Sequence, residues 1–170
     1  IWAWIYNPIF GVLNRALREI GLGQLARGWL GDVTFALPAV LVAAIWAYFG
    51  FVFVIFLAAL QNVSQDLLDA AAVDGANAWQ RFWNVTIPQI ANVMTMVIVI
   101  GLIGGFSVFD IVYVMTGGGP ANSTELIATY TYQKAFAEND IGYGAALSMV
   151  MTVLSLVASV IFIYFRERES

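Results

Sequence analysis

Residues 33–65 read VTFALPAVLVAAIWAYFGFVFVIFLAALQNVSQ, a run between Asp32 and Asp66 that holds no Asp, Glu, Lys or Arg. A helix needs about 20 predominantly apolar residues to cross the hydrocarbon core of a bilayer. This run exceeds that length, and so do two others, between Arg81 and Asp110 and between Asp140 and Arg166. One such run fits a buried core helix of a soluble protein, but three in a chain of 170 residues do not. The spacing predicts an all-α, polytopic transmembrane fold with spans near 36–60, 88–109 and 143–165.

Composition agrees. Apolar residues make up 61% of the chain and charged residues 11%, against about 25% charge in soluble domains. So few charges cannot wet a globule of this size, and lipid is the natural solvent. The chain has no Cys and no His, which removes disulfide, thiol and imidazole chemistry and any His-ligated metal. A net charge of −4 argues against nucleic acid as a partner. The chain opens on Ile1, with no initiator Met and no signal-peptide pattern. It is expected to be a fragment whose earlier spans are missing.

Outward from the spans, residues 1–34 read as an interfacial, amphipathic segment preceding a membrane domain at 35–170. Phe10, Leu13, Leu17 and Ile20 fall on one helical face, with Asn14, Arg15, Arg18 and Glu19 off it. This pattern suits a short helix lying on the membrane surface and stopped by Gly21 and Gly23. Trp2, Trp4 and Trp29 have the character of interfacial anchors. Pro88 is expected to open the second span, and Gly117-Gly118-Gly119-Pro120 reads as a turn within 110–142. Three spans place 1–34 and 110–142 on one side and 61–87 with the tail on the other. Lys and Arg then divide four to three, too evenly for the positive-inside rule to orient the chain.

The loop at 64–88 is the most specific stretch: SQDLLDAAAVDGANAWQRFWNVTIP. Ser64 can cap a first helix with Asp66 in its positive first turn. Ala70, Ala71 and Ala72 favour helix, and Gly75 suits a left-handed stop. Asn77 and Gln80 have capping-box spacing for a second helix, with Trp79, Phe82 and Trp83 as apolar anchors. The product is a small helical knob with an Ala-rich tip flanked by acids. It could insert into a groove on a partner or pack on its own membrane domain as an ordinary re-entry loop.

Asp69-Ala70-Ala71, then Asp74-Gly75-Ala76, Phe82 and Ile87-Pro88, resemble the EAA loop of ABC importer permeases. Similarity to sugar permeases extends through Phe10-Gly11 with Asn14, Leu17, Gly21 and Leu22. It continues in Phe109-Asp110, Tyr113, Thr116 to Pro120, Thr124, Tyr132, Ala135-Phe136 and Gly142 to Ala146. The resemblance implies the C-terminal half of a permease of about six spans. It would belong to the first-permease subfamily of maltose- and glycerol-phosphate-type importers, with a partial type I core. It implies ATPase coupling through Asp69, Ala70, Ala71, Asp74, Gly75, Ala76, Arg81 and Phe82. Partners would be a second permease, a cytoplasmic ATPase dimer carrying ATP and magnesium, and a periplasmic or lipid-anchored sugar-binding protein. The setting would be a bacterial or archaeal cytoplasmic membrane, with 61–87 and the C-terminus cytoplasmic and 110–142 periplasmic. Asp69 departs from the family's usual Glu and is one methylene shorter.

No phosphate-loop motif is present, because Gly117 to Pro120 lacks the Lys. ATP hydrolysis is therefore expected on a separate chain, with no cofactor, metal or catalytic residue here. A substrate path is expected along Tyr48, Phe51, Gly101, Gly104, Gly105, Ser107 and Asp110. There a small-residue notch lies beside aromatic rings suited to the apolar faces of sugars. The resemblance puts the family's sugar pocket on the same two spans. Tight helix packing through the glycines is the competing reading of that notch. For the whole chain, a secondary transporter or channel without an ATPase, or a non-transporting membrane anchor, are the alternatives.

Overall fold

The structure, a computed structural model, describes residues 1–168. Three of its helices are long and apolar enough to cross a membrane: Ala36–Gln61, Ala78–Phe106 and Ile141–Arg166. Around them lie short elements. In chain order the helices are α1 (Trp2–Ile5), α2 (Val12–Glu19), α3 (Ala36–Gln61), α4 (Gln65–Val73), α5 (Ala78–Arg81), α6 (Ile87–Phe106), α7 (Asp110–Met115), α8 (Ile127–Tyr132) and α9 (Ile141–Arg168). The chain divides into two compact units, Ile1–Ala47 with Gly104–Leu156, and Tyr48–Ile103 with the segment from Val157 onward.

In the first unit, residues 1–34 depart from the surface-helix expectation. The α-helical parts are Trp2–Ile5 and Val12–Glu19, and Phe10 and Ile20 fall outside them and are exposed. Asn14, expected on the polar face, is 2% exposed. Its Nδ2 donates to the carbonyls of Pro8 and Arg27 at 3.3 and 2.8 Å. Its Oδ1 accepts from the Arg27 amide at 3.3 Å and from Trp29 Nε1 at 2.7 Å. A buried amide is tolerated because every lone pair and proton is used. Periodicity assigned Asn14 by its polarity, whereas the fold uses it as the knot that gathers the segment.

The tryptophans likewise turn to packing. Trp2 meets Trp46 edge-on at 5.7 Å and Trp29 meets Phe35 at 6.1 Å, while Trp4 stays exposed. The Arg27 guanidinium lies 4.0 Å from the Phe35 ring centre, a cation–π distance. Burial pushes the Tyr6 phenol above its ordinary range. Ala36, Ala39, Val40 and Ala43 of α3 are buried, a stripe at helical spacing whose small side chains allow close approach in lipid.

The Gly117 to Pro120 stretch forms the turn that was expected. Thr116 and Thr124 hydroxyls meet at 2.7 Å, and Thr124 Oγ1 donates to the Gly119 carbonyl at 2.8 Å. The second span differs from expectation at both ends. The apolar helix that carries it stops at Phe106, three residues early, and continues backward past Pro88 to Ala78. Pro88 lies inside a continuous helix because Phe82–Thr86 adopts a π-helical turn just before it. The wider turn makes room where a proline ring would otherwise strike the carbonyl four residues back.

Candidate functional site

The knob lies within the second unit. Ser64 caps α4, its Oγ accepting from the Leu67 amide at 3.5 Å. Asp74 is the C-cap, and Gly75 follows at φ +85°. The Ala76 amide donates to the Ala71 carbonyl at 2.9 Å and the Gly75 amide to that of Ala72 at 3.1 Å. This crossed pair is a Schellman motif with Gly75 at the left-handed position. It brings Ala71 and Ala76 side by side, so small residues at those positions keep the corner tight. Asn77 then caps α5 reciprocally with Gln80, both bonds at 2.9 Å.

The motif residues present themselves outward. Asp69, Ala70, Asp74, Gly75 and Phe82 are exposed, while Ala71, Ala76 and Arg81 are half-buried. Asp69 Oδ1 accepts from Gln65 Nε2 at 2.9 Å, which orients the shorter acid along α4. Arg81 Nε is shielded from solvent without a hydrogen-bond partner. Val73 is 89% exposed and Trp79 69%. Trp79, Phe82 and Trp83 form one aromatic group with ring centres 5.4 to 6.2 Å apart. An apolar surface framed by acids can accept a partner's apolar groove edged by basic groups.

Two features of the knob escaped sequence reading. Gln89 Oε1 accepts from the Ser64 amide at 2.9 Å, latching the start of α4 to α6. The helix from Ala78 to Phe106 is unbroken, so α5 and the beginning of the span are one rod. No local signal marked Gln89. The π turn could have been suspected from a proline six residues after the aromatic Phe82 in an otherwise helical run.

The expected path residues divide between the units. In the second unit, Tyr48 and Phe51 are half-exposed on α3, and Gly101 of α6 has open space where a Cβ would stand. In the first unit, Gly105 is equally open and Gly104 is half-buried. Ser107 does not extend a helical stripe. It lies past the end of α6 in a turn, its amide bonded to the Gly104 carbonyl at 3.0 Å. Asp110 is exposed in the first turn of α7.

Ser107 instead lines a cavity of about 280 Å³ with Phe109, Thr131, Tyr132, Phe136 and Met151. Phe109 stacks on Tyr113 at 4.9 Å, and Tyr132 packs against Phe109 at 5.1 Å and Phe136 at 5.2 Å. The neighbouring Tyr132 phenol, its ring 5.0 Å from that of Tyr113, pushes the Tyr113 hydroxyl above its ordinary range. Of the residues lining this cavity only Ser107 belonged to the expected path. Tyr132 and Phe136 lie more than 20 residues from Phe109, and folding alone unites them with it.

Comparison with known proteins identifies the architecture. Residues 2–169 match the family described as binding-protein-dependent transport system inner membrane component. A probable ABC transporter permease of Bacillus subtilis strain 168 is 35% identical over 165 residues, 97% of this chain and 56% of that protein. The trehalose/maltose transport system permease of Thermococcus litoralis is 33% identical over 162 residues, 95% of this chain and 54% of that protein. The crystal structure of a bacterial ABC transporter importing the acidic polysaccharide alginate superposes with a TM-score of 0.86 at 25% identity. It covers 98% of this chain and 58% of its own. The chain spans about half the length of the curated relatives it matches. With three membrane-length apolar helices and a family match from end to end, the chain is a multi-pass membrane protein and belongs to the binding-protein-dependent transport system inner membrane components.

Proposed function

We propose that this chain forms part of the translocation pathway of an ATP-driven sugar importer and couples to a separate ATPase through the knob at 64–88. The observation that carries the reading is the knob itself: an exposed, doubly capped helix–turn–helix whose second helix is continuous with a span. Force applied to Trp79 by a moving partner passes along the helix from Ala78, and force on Asp69 or Asp74 reaches the same helix through the Ser64–Gln89 hydrogen bond. A secondary transporter or channel has no need of such an element. ATP and magnesium belong on the partner ATPase dimer. A second permease would complete the path and a sugar-binding protein would deliver substrate from the far side of a cytoplasmic membrane.

The proposed sugar contacts are, in the second unit, Tyr48, Phe51 and the opening at Gly101, and, in the first unit, the opening at Gly105 with Ser107 and Asp110. Rings supply the apolar sugar face and hydroxyls the polar one. The sugar class is supported by relatives such as the trehalose/maltose permease. The deciding experiment uses the full-length permease assembled with its partners in proteoliposomes. Sugar uptake should cease when ATP is withdrawn, and Asp74→Lys should abolish uptake while the complex is still recovered. Uptake that continues without ATP refutes the ATPase-coupled reading in favour of a secondary transporter.

A further inference from the structure

We propose that the cleft between α6 and α9 in the second unit binds one anionic phospholipid, with Arg166 holding its phosphate. The cleft has a volume of about 710 Å³ and is lined by Ala91, Asn92, Thr95, Ile98, Phe162 and Arg166, among others. Arg166 is the first charge after the uncharged run from Ile141 to Phe165. It therefore sits where the apolar part of the span ends and lipid headgroups begin. Its side chain turns toward α6, Nε donating to Thr95 Oγ1 at 3.3 Å. Thr95 Oγ1 in turn donates to the Ala91 carbonyl at 2.9 Å. One donor of the guanidinium is thereby fixed, which orients the other four.

Among the described residues no carboxylate pairs with Arg166. A positioned guanidinium at headgroup depth matches two phosphate oxygens at once, and the Asn92 amide supplies a further donor on the same wall. Below them Ile98 and Phe162 offer an apolar floor. Such a combination suits a glycerophospholipid, with headgroup above and acyl chain beneath, and basic pockets between spans are a known setting for acidic headgroups. Water alone would wet apolar walls at a free-energy cost. A protein segment in the cleft would instead lie against Ile98, which cross-linking of position 98 detects. The inference needs only the membrane-spanning fold, and stands or falls apart from the ATPase-coupling reading.

The test is native mass spectrometry of the full-length permease in its assembled complex, released from mild detergent containing equal phosphatidylglycerol and phosphatidylcholine. The wild type should retain one phosphatidylglycerol in preference. Arg166→Gln should lower that preference about fivefold, and Arg166→Lys should restore part of it. Ile98→Trp keeps the charge but fills the cleft and should also lose the lipid, which guards against an Arg166 variant that fails to assemble. Arg15→Gln, at an exposed arginine already paired with Glu19 at 3.0 Å, should change nothing. Preference unchanged in Arg166→Gln or Ile98→Trp would overturn the proposal. So would full displacement of the lipid by millimolar inorganic phosphate, which would mark a free-anion site, or cross-linking of position 98 to a partner chain.

Discussion

Replacing Gly75 separates a backbone requirement from a steric one. Gly75 stands at φ +85° and a Cβ built on it meets nothing within 4 Å. The cost of a side chain there is therefore conformational and not a clash within this chain. An L-residue in the left-handed region costs about 1–2 kcal/mol. A β-branched side chain stands at the upper end, while asparagine tolerates the region well. The turn is held by only two crossed hydrogen bonds, Ala76 to Ala71 and Gly75 to Ala72. At about 1.4 kcal/mol per factor of ten, Gly75→Val should shift the turn toward unwound forms by about 5- to 30-fold. The spans do not depend on this corner, so the complex should still assemble. Stimulation of ATPase activity by sugar-loaded binding protein should fall several-fold in Gly75→Val and stay near normal in Gly75→Asn. Normal stimulation in Gly75→Val would refute the requirement for this turn. Equal loss in both variants would show that a partner, and not the backbone, excludes the side chain.

Three further outcomes follow from local geometry. Gly105→Ala adds a methyl where no atom lies within 4 Å, so complex recovery should be unchanged while relative uptake of several sugars shifts; poor assembly with unaltered selectivity would make Gly105 a packing residue. Gly144→Ala would put its Cβ 2.6 Å from that of Ala135, and overpacking should destabilise by about 1–3 kcal/mol, read as a lower melting temperature of the purified complex, with Gly142→Ala as the tolerant comparison. Asn14→Leu leaves Trp29 Nε1 and the Arg27 amide without their acceptor, and should cost about 1–3 kcal/mol for each orphaned group, measured as faster proteolysis within residues 1–34; unchanged proteolysis would show that the knot is dispensable.

The sequence by itself determined the features whose causes are local. Charge-free runs longer than a bilayer is thick leave a chain only one way to satisfy its backbone in lipid, so three apolar helices were legible from the spacing of Asp32, Asp66, Arg81, Asp110, Asp140 and Arg166. The caps at Ser64 and Asn77 and the left-handed turn at Gly75 were equally legible, because each depends on residues at most five apart. The placement of the C-terminus beside loop 61–87 falls on Ser170, outside the described residues. Arg166, four residues earlier, lies against Thr95 in the first half of α6.

Only the tertiary structure decided what depends on distant partners. Asn14 reads as a surface residue until Trp29 and Arg27 fold over it. Pro88 reads as a helix start until the preceding π turn absorbs its ring and welds the knob to the span. The Phe109–Tyr132 contact and the Arg166–Thr95 bond join residues 23 and 71 positions apart. Periodicity states which face of a helix is apolar but not what that face meets. In a chain this apolar nearly every face qualifies, so hydrophobicity stops discriminating and the few polar contacts set the arrangement.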